Sequence, residues 1–306
     1  MRKIYLLIAG SVAVLFATAQ NPATTFTIPN RNITLNCGTN CTDIVVQVPH
    51  IKQTTGYVIT NPSYIPFAYT TPTGNEVTQI YNDDTWSPVI TPGFNFCYYG
   101  NNFSTLLMGS NSAITFDITR AGNSSGYSIS SSTGAIPNTN YAPNMIFGPY
   151  HDINPNISSA NKKIEWRVEG TAPKRRFIAS YNDVPYFGSS CTAPRATHQM
   201  VLYEGTGVVE VYIQDKPYCT GWNSGMTILG MQDGTRTNAI AAPGKNATVW
   251  GTAGMDSCFR FIPSGGVSRL KSARLLVNGV QVATADTSTL SPGVLNLNFL
   301  NVCPTA

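Results

Sequence analysis

The sequence predicts an all-β protein, in which a β-sandwich or jelly-roll-like domain is followed by the start of a second, immunoglobulin-like β-domain. Short runs that alternate apolar and polar residues recur along the chain, and each ends at Gly, Pro, Asn or Ser. Beyond the N-terminal apolar run, no stretch of about twelve residues keeps the apolar spacing of an amphipathic helix. The 26 glycines and 20 prolines are spread over the whole length, which is typical of sandwiches built from many short strands.

Individual strands of the first domain follow from this alternation. Residues 114–118 and 164–168 place apolar side chains on one face and polar side chains on the other. Residues 200–203 and 209–213 flank the turn Glu204-Gly205-Thr206-Gly207 and predict a β-hairpin.

A domain boundary is expected at Pro263-Ser264-Gly265-Gly266. After it, residues 273–277 and 280–283 flank Asn278-Gly279, a pair that suits the type I′ turn of a hairpin. An immunoglobulin-like sandwich needs roughly 100 residues, far more than remain. Residues 265–306 are therefore predicted to be a partial second β-domain, and residues 20–264 the first domain.

The partial domain leaves an apolar face that nothing after it in the sequence covers. Its members are Leu275, Val277, Val280, Val282, Leu295, Leu297 and Phe299. Because open strand edges pair readily with another chain, we expect this face to be completed by residues beyond this sequence or by a strand from a partner.

The N-terminus predicts export. Arg2 and Lys3 precede an apolar run over residues 4–16, and Ala17-Thr18-Ala19 forms a small-residue cleavage site, so residues 1–19 are predicted to be a cleaved signal peptide. No later apolar run approaches the ~20 residues that span a bilayer. The mature protein is expected to be secreted or at the cell surface, without a membrane span.

Composition excludes two further classes. The 42% of hydrophobic residues, with only 11% charged, argue against intrinsic disorder. A formal net charge of +4 spread over 306 residues leaves no basic stripe, so nucleic acid is not an expected partner.

All seven cysteines follow the predicted signal peptide, and in an oxidising compartment they are expected to form disulfides. The expected pairs are Cys191–Cys219, Cys37–Cys41 and Cys97–Cys258. Cys191 and Cys219 bracket the predicted hairpin, which brings its two ends together. Because seven is an odd number, these three pairs leave Cys303 without a partner, and its partner is expected outside this sequence.

One segment is similar to the start of a calcium-binding loop. Asp152, Asn154 and Asn156 place oxygen-bearing side chains at alternate positions. Ile157 and Lys163 stand where an EF-hand has its glycine and its bidentate glutamate, so the segment is not an EF-hand. Two interpretations stay open, a looser calcium site and a loop tied by Asx side-chain hydrogen bonds. No other cofactor is expected.

Two motifs are typical of hydrolases but lack their context. Gly122-Asn123-Ser124-Ser125-Gly126 matches G-x-S-x-G, yet a Ser-rich loop follows it instead of a helix. Asp83 and Asp84 are adjacent, and adjacent side chains of an extended chain point to opposite faces, so the two are not expected to flank one glycosidic bond. We expect no catalytic residues and no enzymatic activity.

Several aromatic residues fall at or beside predicted loops. We expect Tyr150, His151, Tyr186 and Trp222 to contribute to ligand binding, because exposed aromatic rings stack on sugars or anchor protein contacts. Packing in the core or in turns is the alternative for such residues.

Four signatures resemble the N-terminal module of very large secreted proteins of the Bacteroidetes, over roughly residues 30–264. The signatures are Asp83-Asp84-Thr85-Trp86-Ser87-Pro88 with Phe94-Asn95-Phe96-Cys97-Tyr98-Tyr99-Gly100, Met145-Ile146-Phe147-Gly148-Pro149-Tyr150-His151-Asp152, residues 177–184 with residues 197–204, and Gly221-Trp222-Asn223-Ser224-Gly225. The module is distantly similar to the nidogen-type extracellular β-domain. The family supplies no established catalytic residues to carry over.

This resemblance implies a function. Such proteins are exported by the type IX secretion system and are associated with gliding motility and surface adhesion. The chain is thus expected to be a non-catalytic module, the N-terminal tip of a longer adhesin, that binds extracellular polysaccharide or a surface protein. Two alternatives stay open: a structural subunit of a surface fibre completed by strand addition, and a secreted polysaccharide hydrolase.

Overall fold

The computed structural model describes residues 27–29, 32–35, 38, 40–130 and 134–303, and the backbone of residues 3–5. The predicted signal peptide lies almost wholly outside these residues. The strands are β1 (Lys3–Tyr5), β2 (Asn32–Thr34), β3 (Thr42–Pro49), β4 (Gly56–Thr60), β5 (Asn75–Glu76), β6 (Phe96–Tyr98), β7 (Asn101–Phe103), β8 (Leu107–Gly109), β9 (Ala113–Thr115), β10 (Met145–Tyr150), β11 (Lys163–Glu169), β12 (Arg176–Pro185), β13 (Arg195–Tyr203), β14 (Val209–Asp215), β15 (Met226–Gln232), β16 (Ala239–Val249), β17 (Ser257–Ser264), β18 (Arg274–Val277), β19 (Val280–Thr284), β20 (Asp286–Ser291) and β21 (Val294–Val302).

Helix in the described residues is limited to short 3-10 turns at Thr78–Tyr81, Ile118–Arg120 and Asn223–Gly225. The predicted all-β class is confirmed. The chain divides into two compact units, one formed by Thr54–Pro263 and the other by Met1–Gln53 together with Ser264–Ala306. The break after Pro263 coincides with the expected boundary, whereas the larger unit begins at Thr54 and not at residue 20.

The larger unit is a sandwich of two antiparallel sheets. One sheet has the order β16-β15-β10-β9-β8 and the other β4-β17-β14-β13-β12-β11-β5. A single apolar cluster joins side chains of both sheets, with Ile146 and Leu229 from the first and Ala179, Val211 and Phe261 from the second. All five are fully buried, as expected of the facing sides of packed sheets.

The seven-stranded sheet also buries its outer face. Ile178, Val201 and Tyr212 alternate along their strands with residues of the sandwich core and pack beneath Tyr64 and Phe67. These strands are therefore apolar on both faces and lack a clean alternation. The predicted hairpin is confirmed, with β13 and β14 paired from Thr197 to Leu202.

A loop layer covers the outer face of the five-stranded sheet. Leu107, Phe147 and Ile228 from the sheet pack against Trp86 and Tyr141 from the loops. At Gly109 a Cβ atom would come within 2.8 Å of the Trp86 ring, so a glycine is needed for the indole to lie against β8. This layer carries the residues of the functional site.

The smaller unit is built from strands at both ends of the chain. β21 pairs with β20 on one side and with β3 on the other. Ile44 of β3 joins Leu295, Leu297 and Phe299 of β21 in a separate buried cluster. β3 thus covers the β21 part of the expected apolar face, whereas Val280 and Val282 of that face are exposed. Completion of the face by further residues or by a partner strand stays a prediction.

The predicted hairpin of the smaller unit is confirmed. β18 and β19 pair across Asn278 and Gly279, whose φ angles of 48° and 80° are both in the left-handed region. A type I′ turn requires this conformation at both positions. The identity of the unit as an immunoglobulin-like repeat stays a prediction.

Strand β9 is shorter than expected. It ends at Thr115, and Ile118 begins a 3-10 turn in which the Asp117 carboxylate accepts a hydrogen bond from the Thr119 backbone N–H. This local cap competes with continuation of the strand.

The disulfides differ from the expected set. Cys191 bonds to Cys219, the pair that brackets the hairpin. Cys41 bonds to Cys303 instead of Cys37, because β3 and β21 are neighbours and the bond lies at their ends. Cys37 lies outside the described residues. The expectation of an external partner for Cys303 is wrong.

Cys97 and Cys258 are free thiols, so the expected bond between them is wrong. Cys258 packs in the cluster on the outer face of the seven-stranded sheet. Cys97 stands between Phe96 and Tyr98, whose rings point into the sandwich core, so its side chain points away from that core. The two thiols face different surroundings.

We expect the substitution His198→Phe to make the larger unit less sensitive to acid. His198 is fully buried against the Tyr181 ring, and neither ring nitrogen has a partner. Burial lowers the pKa of His198 to about 3, below the ~6.5 of an unfolded histidine. Between these two values the unfolded chain binds more protons than the folded one. The contribution of His198 to stability is therefore complete above about pH 6.5 and is lost as the pH falls.

Between pH 7 and pH 4.5, protonation of His198 in the unfolded chain should lower the free energy of unfolding of the wild type by about 2 to 3 kcal/mol. The phenylalanine variant should not show this loss. Urea denaturation of both proteins at the two pH values measures the difference. If the variant loses as much stability as the wild type between pH 7 and pH 4.5, the buried neutral histidine is not the cause.

We expect the double substitution Cys41→Ser/Cys303→Ser to destabilise the smaller unit. The bond joins residues separated by 262 positions, and in the loop-entropy model such a closure contributes about 5 to 6 kcal/mol. Denaturant unfolding followed by hydrogen exchange of β21 measures the loss. Non-reducing peptide mapping is the control, and a map that joins Cys303 to any cysteine but Cys41 contradicts the assignment.

Candidate functional site

Three aspartates form an acidic cluster at the loop layer of the larger unit. Asp83 and Asp84 lie shortly after the turn Thr78–Tyr81, and Asp152 follows β10. One carboxylate oxygen of each lies within 4.8 Å of those of the other two. The expectation that Asp83 and Asp84 point apart is wrong, because Asp84 adopts a φ of 55° and the chain turns there instead of running extended.

Asn111, in the tight connection between β8 and β9, holds this cluster together. Its side-chain amide donates to Asp84 Oδ1 at 2.7 Å and to the Gly126 carbonyl at 2.8 Å. Its carbonyl oxygen accepts the Ile153 backbone N–H at 3.0 Å. A single fully buried side chain therefore fixes the Asp84 loop against the segment that carries Asp152.

The surroundings of the cluster disfavour negative charge. The pKa of Asp152 is raised to about 8, chiefly by burial and to a smaller degree by the neighbouring Asp84 and Asp83 carboxylates. The hydrogen bond from Trp222 acts in the opposite direction. Burial and the neighbouring Asp84 carboxylate raise the pKa of Asp83 to about 6. Burial also raises the pKa of Asp84.

An aromatic surface adjoins the acidic cluster; it consists of Tyr127, Phe187 and Trp222. The Trp222 ring lies 4.9 Å from the Phe187 ring and 6.5 Å from the Tyr127 ring, measured between centroids. Trp222 is 37% exposed and Tyr127 is 42% exposed. The Trp222 indole N–H donates to Asp152 Oδ2, so the cluster orients the ring.

A second contact fixes the aromatic surface. The Asn223 side-chain amide donates to the Tyr127 carbonyl at 2.8 Å, which joins the Tyr127 loop to the 3-10 turn after Trp222. Rigid rings with exposed faces lose little side-chain entropy when they bind a ligand.

Beside Tyr127 lies a cleft of about 430 Å³. Its lining combines aromatic and polar groups, among them Trp86, Arg120, Ser124, Tyr127, Tyr141 and Tyr150. This size and composition suit a small ligand or one segment of a larger one.

Of the four residues expected to bind ligand, Trp222 alone exposes its ring. Tyr150, His151 and Tyr186 are 1%, 6% and 3% exposed. Tyr150 borders the cleft. His151 and Tyr186 line a small, partly open cavity of about 20 Å³, which has room for about one water molecule and none for a sugar.

The segment that is similar to a calcium loop contains an Asx hydrogen bond. Asn154 Oδ1 accepts the Asn156 backbone N–H at 2.9 Å, so this oxygen is engaged within the turn. The Asp152 carboxylate lies close to those of Asp83 and Asp84. The calcium site expected from Asp152, Asn154 and Asn156 stays a prediction.

The G-x-S-x-G motif does not form a nucleophile elbow. Ser124 forms an isolated antiparallel bridge with Thr85, and residues 125–130 that follow it are not helical. The Ser125 hydroxyl contacts Ser110, and no histidine in the described part of the chain hydrogen bonds a serine hydroxyl.

Sequence reasoning missed four residues of this site. Asn111 and Tyr127 carry no motif, and Asp83-Asp84 were set aside because an extended chain was assumed. The Asp-Asp-Thr run is itself a turn signal, and it could have indicated that both carboxylates project from a bend.

Residues 56–264 match the family described as NIDO related, which agrees with the nidogen-like extracellular domain implied by the resemblance. No curated protein and no solved structure gives a significant match. Among the described residues no helix is long and apolar enough to cross a membrane. The matched residues cover almost all of the larger unit and more than half of the sequence, and the chain belongs to the NIDO-related family.

Proposed function

We propose that this chain is a non-catalytic extracellular adhesion module that binds polysaccharide through the aromatic surface and the adjoining cleft. The observation that carries the proposal is the exposed Trp222 ring, held in place by its indole hydrogen bond to the buried Asp152. The NIDO-related family is compatible with a module of this type.

The chemistry of the surface supports a sugar ligand. Pyranose rings present apolar C–H faces that stack on aromatic rings, while their hydroxyls need hydrogen-bond partners. Trp222 and Tyr127 offer the exposed faces. Ser124, Ser128 and Arg120 in the neighbouring cleft offer the polar groups. A surface with both kinds of group side by side fits a polysaccharide better than a wholly apolar protein patch.

The proposal includes export of the chain from the cell. The predicted signal peptide, the disulfides Cys191–Cys219 and Cys41–Cys303, and the extracellular family support a secreted or cell-surface location. The sequence resemblance supports export by the type IX secretion system of a Bacteroidetes cell and a link with gliding motility. In this proposal the chain is the N-terminal tip of a larger surface adhesin.

We expect Trp222→Ala to weaken polysaccharide binding by at least tenfold, because aromatic anchors carry much of the binding energy of such surfaces. Tyr127→Ala should weaken it to a smaller degree. A glycan and surface-polymer array identifies the ligand, and biolayer interferometry on the purified exported chain then measures its affinity for the wild type and both variants.

Leu290→Ala is the matched control, since Leu290 is 51% exposed but lies on β20 of the smaller unit. It should bind the polymer like the wild type. Equal binding by wild type and Trp222→Ala, or capture of a surface protein in place of any glycan, contradicts polysaccharide binding. Glycan hydrolysis by the wild type that is lost with Asp84→Asn contradicts the non-catalytic assignment.

A further inference from the structure

Each aspartate of the acidic cluster has one carboxylate oxygen that the protein satisfies and one that it does not. Asp83 Oδ1 accepts the Asp84 backbone N–H at 3.1 Å, Asp84 Oδ1 accepts the Asn111 amide, and Asp152 Oδ2 accepts the Trp222 indole N–H. The other three oxygens accept no hydrogen bond from the described residues. The scaffold thus orients three carboxylates and leaves one free oxygen on each.

The free oxygen of Asp152 is the most informative of the three. Asp152 is 5% exposed, and its Oδ1 is buried with no hydrogen-bond partner. A buried carboxylate oxygen without a partner is costly, and native structures tolerate buried charge chiefly where it is paired or coordinates a metal. This oxygen therefore indicates a positively charged ligand.

The protein supplies no counter-charge of its own. None of the ion pairs formed by the described residues includes Asp83, Asp84 or Asp152. Three carboxylates within 4.8 Å of one another repel each other strongly when ionised, and a bound cation relieves that repulsion.

We propose that Asp83, Asp84 and Asp152 bind one divalent cation and that this cation is calcium. Calcium prefers carboxylate oxygens at 2.3–2.6 Å, so two ligands on opposite sides of the ion are about 4.8 Å apart. The carboxylates of the cluster already lie within that span. Magnesium requires a near-ideal octahedron at about 2.0–2.1 Å and gives up its water reluctantly, so three carboxylates fixed by the scaffold suit the more flexible coordination of calcium better.

Access and coordination number also fit calcium. Asp83 and Asp84 are only half-buried, so the cluster opens to solvent on their side. Water can enter there and complete the six to eight oxygen ligands that calcium takes. The site differs from the loop of Asp152, Asn154 and Asn156, and it does not rest on the proposed function, because the cation needs no glycan to bind.

Isothermal titration calorimetry of calcium chloride into the chelator-treated exported chain tests this site. We expect one calcium per chain with a Kd on the order of 10⁻⁴ M, the range of extracellular modules, and weaker binding of magnesium. Asp152→Asn should weaken calcium binding at least tenfold. Asp286→Asn removes one negative charge on β20, where Asp286 is exposed, and should leave calcium binding unchanged.

Thermal unfolding separates a calcium ligand from a residue needed only for folding. In chelator, Asp152→Asn should melt at or above the wild type, because one of three repelling carboxylates is gone. In millimolar calcium the order should reverse, since only the wild type gains stability from the ion. If Asp152→Asn does not fold, Asp83→Asn at the half-exposed position provides the same comparison.

The proposal is overturned if the wild type shows neither calcium binding nor a calcium-dependent shift in melting temperature. It is also overturned if Asp286→Asn loses as much affinity as Asp152→Asn. Tighter binding of magnesium than of calcium overturns the assignment of the ion.

Discussion

The hydrogen bond from the Trp222 indole to Asp152 is the interaction on which the functional surface depends. It joins a buried carboxylate, placed by the end of β10, to a ring that is 37% exposed. Without this bond the indole would keep its packing against Phe187 but lose the polar contact that sets its orientation, and a less ordered ring loses more side-chain entropy when it binds a ligand. The aromatic surface and the acidic cluster therefore form one structural assembly, and we expect changes in either to affect the other.

The sandwich explains why this assembly can form at all. Asn111 sits in a tight connection whose flanking strands, β8 and β9, are held in the five-stranded sheet. From that rigid position it fixes both the Asp84 loop and the Asp152 segment through its side chain. Loops that carry function are commonly positioned by a rigid scaffold in this manner. The sheets thus fix the positions of the loops, and the loops carry the side chains of the acidic cluster and the aromatic surface.

The sequence predicted those features that local patterns determine. Alternation and turn residues indicated the β-class, the β13–β14 hairpin and the Asn278-Gly279 turn, since each depends on neighbouring residues alone. Pairing between β3 and β21 could not be predicted, because it joins segments at opposite ends of the chain. The Cys41–Cys303 bond was missed for the same reason. The acidic cluster was missed because one residue, Asp84, adopts a left-handed backbone conformation that periodicity does not report.

Anomalous diffraction from crystals of the exported chain soaked in terbium, which replaces calcium, tests the central claim most directly. The account predicts one strong peak at the loop layer, with an oxygen of Asp83, Asp84 and Asp152 each about 2.3–2.6 Å away and the Trp222 indole still donating to Asp152. Terbium peaks elsewhere on the molecule, with none between these three aspartates, would contradict it.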